Sequence, residues 1–93
     1  MTPENKASWI AALRGGEYKQ DKGSLYTGRG HCCLGVYCKH VAGIPVNTLR
    51  RDLQSSYDAT GIKSDKRATL IAMNDDGKSF AEIADWIEQN IYE

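Results

Sequence analysis

No stretch of this 93-residue chain is apolar for long enough to cross a bilayer, and the basic–apolar–small order of a signal peptide is missing. The expected location is therefore cytoplasmic. Cysteine comes to three, an odd number, and a reducing compartment keeps thiols free, so no disulfide framework is expected. Internal repeats and low-complexity linkers are absent as well. That leaves one domain over 1–93, long enough for a single core but without much margin. Net charge is zero, yet its distribution is uneven. Residues 1–73 carry eleven Lys/Arg against six Asp/Glu, whereas residues 74–93 carry Lys78 against six acids. An anionic partner would dock on the first part and avoid the last helix, although two solvated faces are the plainer reading of charge alone.

What is present reads mostly as helix. Thr2 can cap, Pro3 suits a first helical position, and Trp9, Ile10 and Leu13 form one apolar stripe that Gly15-Gly16 ends. "EYKQDKGSLYTG" places tyrosines 18 and 26 either side of Asp21-Lys22-Gly23, which predicts a β-hairpin. "HCCLGVYCKHVAG" has no polar stripe before Lys39-His40 and reads as a central buried helix ended by Gly43 and Pro45. A further helix is expected from Asn47 to Gly61, then a short one capped by Ser64 or Asp65 and stopped at Gly77. The last helix opens with a capping box, Ser79 with Glu82, and aligns Phe80, Ile83, Ala84, Ile87 and Ile91 on one face. The expected fold class is α+β: a short hairpin beside about four helices, with the Cys-rich helix central.

The cluster His31, Cys32, Cys33, Cys38 and His40 raises metal and thiol chemistry. A structural zinc site shows two separated ligand pairs, and no two of these residues stand three or four apart as convergence on one helix requires. His31 could precede the helix, which keeps a three-ligand arrangement open. Cys32, at a helix start beside His31 and Arg29, has an electropositive setting that lowers a thiol pKa, but no orienting third residue can be named. The preferred reading is a core helix in which Cys33, Gly35 and Cys38 admit close neighbours.

The entry to that helix offers a different chemistry. Gly28 and Gly30 bracket Arg29 just before a helix start, where free N–H groups and the dipole favour an anion. Lys19 and Lys22 add charge for phosphate, and Tyr18 and Tyr26 add rings for a base. The spacing is neither a P-loop nor a dinucleotide fingerprint, which would require glycine where Cys33 stands. Judged on these residues alone, a surface loop with scattered lysines is the plainer alternative. "MNDDGKSFAEIADWI" also looks like the opening of a helix-turn-helix, but too few residues follow for a recognition helix and the segment is acidic, so DNA binding is not expected.

Three blocks, "WIAALRGGEYKQDKG", "CCLGVYC" and "MNDDGKSFAEIADWIE", taken in this order, resemble a family of small proteins encoded by bacteriophages and prophages. The middle, about 44–64, matches least, and Lys39 stands where the central block often continues with an acidic residue. The resemblance implies a phage context and a shared fold; no catalytic residue carries over. Small non-structural phage proteins frequently act against the host, and several such families bind nucleotide immune signals without cleaving them. By that analogy the expected function is non-catalytic sequestration of an anionic, cyclic nucleotide in the infected bacterial cell, with no cofactor, no DNA, no membrane, and a homo-oligomer as one option. The ligand contacts would be Tyr18, Lys19, Lys22, Tyr26, Gly28, Arg29, Gly30 and His31, with Arg50 and Arg51 from a second subunit as further candidates. Two alternatives stand beside it: an inhibitor of a host defence protein, docking through Trp86, Tyr92 and the acidic C-terminal face, and an enzyme using Cys32 or a cluster-bound metal.

Overall fold

A computed structural model describes residues 1–91 and contains six helices. Helix α1 spans Pro3–Arg14. Thr2 Oγ1 accepts the Asn5 N–H at its start, and Trp9, Ile10, Ala12 and Leu13 form its buried face. The last helix, α6 (Phe80–Asn90), keeps its capping box: Ser79 accepts from the Glu82 N–H while Glu82 accepts from the Ser79 N–H. Phe80, Ile83, Ala84 and Ile87 are buried along it, as its periodicity dictates. Lys6 reaches the carbonyls of Glu88 and Ile91, and Arg14 the carboxylates of Asp85 and Glu88, so α1 and α6 pack antiparallel.

Between them runs the Cys-rich helix, α2 (Cys33–Val36), continued by a π-helical turn over Tyr37–Val41. Every residue from Cys32 to Cys38 is buried, and the helix touches α1, α4 and α5. Two close approaches explain its small residues. A Cβ on Gly35 would collide with the Leu25 carbonyl, which lies directly against the helix. Trp9 Nε1 donates to the Cys33 carbonyl at 2.9 Å, and its ring meets Tyr37 edge-on at 5.2 Å.

The middle of the chain differs from expectation. Residues 47–61 form two helices, α3 (Val46–Arg51) and α4 (Leu53–Thr60), rather than one. Asp52 leaves helical geometry (φ −123°, ψ 75°), and its carboxylate accepts the Ser55 N–H to start α4. Helix α5 (Ser64–Asp75) begins without a side-chain cap: Ser64 is its first residue and Lys63 precedes it. It ends as expected, with the Lys78 N–H bonded back to the Met73 carbonyl around Gly77 at φ 90°.

The α+β expectation is wrong. Among the described residues the fold is all-helical, with no strand and therefore no hairpin. Gln20 and Tyr26 each form one isolated bridge, both to residue 31, the first parallel and the second antiparallel. The two arms of the expected hairpin thus pair with a third segment and not with each other. The groups around the turn are also spent elsewhere. The Asp21 carboxylate takes the Thr27 hydroxyl and the Lys22 N–H, and its carbonyl takes the Asn74 amide of α5.

Candidate functional site

The loop over 15–32 carries most of the chemistry-bearing residues, and residue 31 organises it. The His31 N–H donates to the Lys19 carbonyl at 2.8 Å, and its own carbonyl accepts the Asp21 N–H at 2.9 Å. Gly30 lies so close to the Lys19 carbonyl that a Cβ there would stand 2.6 Å from it, which is why glycine precedes the histidine. Thr27 Oγ1 accepts the N–H groups of Arg29 and Gly30, closing the Gly28 turn (φ 91°). Asn74, buried at the end of α5, fastens the loop to the helices. Its Oδ1 accepts from Gln20 Nε2 and the Cys33 N–H, and its Nδ2 donates to the Asp21 carbonyl.

The His31 ring is buried (8% exposed) between two half-buried tyrosines. Tyr18 meets it edge-on at 5.3 Å and Tyr26 lies tilted against it at 4.8 Å. The Tyr18 hydroxyl stands 3.1 Å from Nδ1 of His40 on the π turn, and Glu17 lies 3.8 Å from the same nitrogen. Burial, and then the charge of Lys39, pushes the His31 imidazole below its ordinary value, so it is neutral at neutral pH. Asp21 is held low by its bond from the Thr27 hydroxyl and then by the Lys22 N–H.

The structure thus brings Tyr18, Tyr26 and His31 into one cluster, with Lys19 and Arg29 exposed on the same loop. Lys22 is turned away: its ammonium donates to the Asp75 carbonyl at the end of α5. Arg50 and Arg51 lie exposed in the last turn of α3, and among the described residues no hydrogen bond or ring contact joins them to the loop. One expectation needs correcting. The helix start does not offer free donors, because the N–H groups of Gly30, His31, Cys32, Cys33 and Gly35 are already bonded to Thr27, Lys19, Leu25, Asn74 and Cys32. Sequence reasoning also missed Asn74, Gln20 and Lys39. The signal for Asn74 was a polar residue one turn after buried Leu70, on the inward side of α5.

The thiols are not poised for nucleophilic chemistry. Burial pushes all three up: Cys32 and Cys33 above the usual thiol range, Cys38 to about 12. The electropositive activation expected at Cys32 is therefore outweighed by desolvation. The Cys38 thiol donates to the Ser56 carbonyl of α4 and the Cys33 thiol approaches the Leu70 carbonyl of α5, so they face different neighbours. No group of three or more His, Cys, Asp or Glu among the described residues could hold a metal.

Three cavities mark the surface. An open cleft of about 600 Å³ runs along α1, lined by Pro3, Lys6, Ala7, Ile10, Ala11, Arg14 and Glu88. One of about 340 Å³ lies by Ile62, Lys63 and Lys66, and a small one of about 60 Å³ is lined by Cys32, Tyr57 and Asp75. None of these three reaches Tyr18, Tyr26 or His31. Trp86 is half-buried with the Lys66 ammonium 5.6 Å from its ring, and Tyr92 lies outside the described residues. No described helix is long and apolar enough to cross a membrane.

A family model described as a domain of unknown function, DUF8296, matches residues 1–42. No curated protein and no solved structure matches the chain. The matched span takes in α1, the whole His31 loop and the Cys-rich helix, and leaves out Arg50 and Arg51.

Proposed function

We propose that this is a non-catalytic binding protein that sequesters an anionic nucleotide at the His31 loop, acting in the cytoplasm of a phage-infected cell to blunt a nucleotide-signalled defence. One observation carries the reading: Tyr18 and Tyr26 converge on a buried histidine on a loop whose exposed cations are Lys19 and Arg29. Half-buried aromatic rings offer faces and edges to a base, and the exposed Arg29 guanidinium and Lys19 ammonium offer charge-assisted bonds to phosphate. Burial of the three thiols fits binding without chemistry. The phage setting rests on the resemblance of the three sequence blocks, and the defence role on analogy with other small phage proteins.

Native mass spectrometry of the purified protein mixed with cyclic and linear nucleotides tests this reading. One nucleotide should be retained, and the double substitution Lys19→Glu, Arg29→Glu should abolish retention while leaving the fold intact. Lys22 is a poorer choice for charge reversal, since its ammonium anchors the loop to α5. If no nucleotide binds, or if the double variant binds equally well, the proposal fails.

A second reading is favoured by the open cleft on α1. Its floor of Ala7, Ile10 and Ala11, with Lys6 and Arg14 at its rim, suits an extended or helical segment of a host protein. Replacing Ala7 and Ala11 with Glu would destroy that surface and leave nucleotide binding untouched, which separates the two.

A further inference from the structure

His31 carries an unresolved cost. Its Nε2 is a buried side-chain atom without a hydrogen-bond partner, at the centre of the most heavily bonded part of the loop. A neutral imidazole tolerates this, because an unprotonated nitrogen against aromatic rings forgoes only one weak acceptor bond. A protonated imidazole does not: both ring nitrogens then carry N–H groups, and the added charge is buried. We propose that His31 is a proton-sensitive latch on the ligand loop, holding Lys19 and Asp21 through its backbone while neutral and releasing the loop once protonated.

No hydrogen-bond acceptor meets the charged ring at its buried Nε2, and the two tyrosine rings replace water only in part. Lys39 on the π turn repels it, and Lys19 and Arg29 on the loop are cationic too. The Asp21 carboxylate is engaged by Thr27 and Lys22, while Glu17 lies beyond Tyr18, beside His40. Tyr18 and Tyr26 offer rings. The sign follows from the lowered value of the folded imidazole. The closed loop has its full stability above the ordinary histidine value of 6.5 and loses it as pH falls toward the folded-state value.

That the loop so held is a ligand loop rests on the function proposed above; the latch itself is tested on the ligand-free protein. NMR titration of the His31 ring should give a value below that of an ordinary histidine. Exchange of the His31 and Asp21 amides, corrected for intrinsic rates, should accelerate between about pH 7.5 and 5.5, by up to about tenfold for each unit of depression within that window. His31→Phe should remove the pH dependence and His40→Gln should keep it. If His31 titrates normally, or the corrected exchange is the same at both pH values, the latch is refuted. Should the Phe variant fail to fold, the wild-type ring titration and the wild-type amide exchange together decide. A depressed His31 with no nucleotide bound in mass spectrometry would sink the ligand reading and leave the latch standing; the opposite pair of results would do the reverse.

Discussion

Replacing Asn74 with Ala should separate the loop from the helices. The side chain makes three hydrogen bonds: from Gln20 Nε2 at 3.0 Å, from the Cys33 N–H at 3.2 Å, and to the Asp21 carbonyl at 2.9 Å. Gln20 keeps its bond to the Lys78 carbonyl and is part exposed, so its loss is small. The Cys33 N–H is buried and has no such recourse. Counting about 1 kcal/mol for each of the Cys33 and Asp21 bonds, and a further 1–2 kcal/mol for the orphaned amide, gives a loss of about 3–4 kcal/mol. Against a typical domain stability of about 5–14 kcal/mol at this length, that is a large fraction. Urea unfolding followed by far-UV circular dichroism reads the loss directly, with an unchanged slope if the native state stays compact. Gln20→Ala serves as the control and should cost about 1 kcal/mol or less. A loss below about 1 kcal/mol for Asn74→Ala would mean that the loop is not held by this side chain, and the account of the site's positioning would fail.

Other consequences follow from the same packing. Gly35→Ala forces a Cβ into the Leu25 carbonyl and should cost at least about 2 kcal/mol, measurable as a lowered urea midpoint; a neutral result would mean that the loop can slide off α2. All three thiols should resist a disulfide reagent at neutral pH until the chain unfolds, so that their modification tracks unfolding and not a fast, saturating step. Stability should also fall at high pH. Cys38 is raised from 9.0 to about 12, so its contribution is complete below 9 and is lost as pH rises toward 12. Cys38→Ala should lessen that alkaline decline, the part due to Cys32 and Cys33 remaining, and an equal decline in the variant would exclude this thiol as a cause. Ser79→Ala should destabilise α6 by about 1 kcal/mol through loss of the capping box, seen as a lower thermal midpoint.

The helices that could be read from the chain are those whose ends carry side-chain chemistry. Thr2-Pro3 and Ser79–Glu82 announce α1 and α6, and the lack of any polar stripe from Cys32 to Cys38 announces a buried helix. Asp52 was legible only as one polar residue within a helical pattern, because its departure from helical geometry depends on the Ser55 N–H being free to donate to its carboxylate. The hairpin was misread for a physical reason. Tyr18 and Tyr26 flank a Gly-containing turn as hairpin residues do, yet both rings and both bridging segments turn to His31, a contact between distant segments that alternation cannot encode. At the site, residue types were legible and availability was not. Lys22 looked like a phosphate contact and is tied to Asp75, and the helix-start amides looked free and are bonded inside the protein.

The most direct test of the account is a two-dimensional amide NMR titration of the protein with the nucleotide that mass spectrometry retains. Shifts should concentrate on residues 17–31 and on Lys39 and His40, with the Tyr18, Tyr26 and His31 rings moving together. Shifts centred instead on Ala7, Ile10, Ala11 and Arg14 of the α1 cleft, or no shifts at saturating nucleotide, would contradict it.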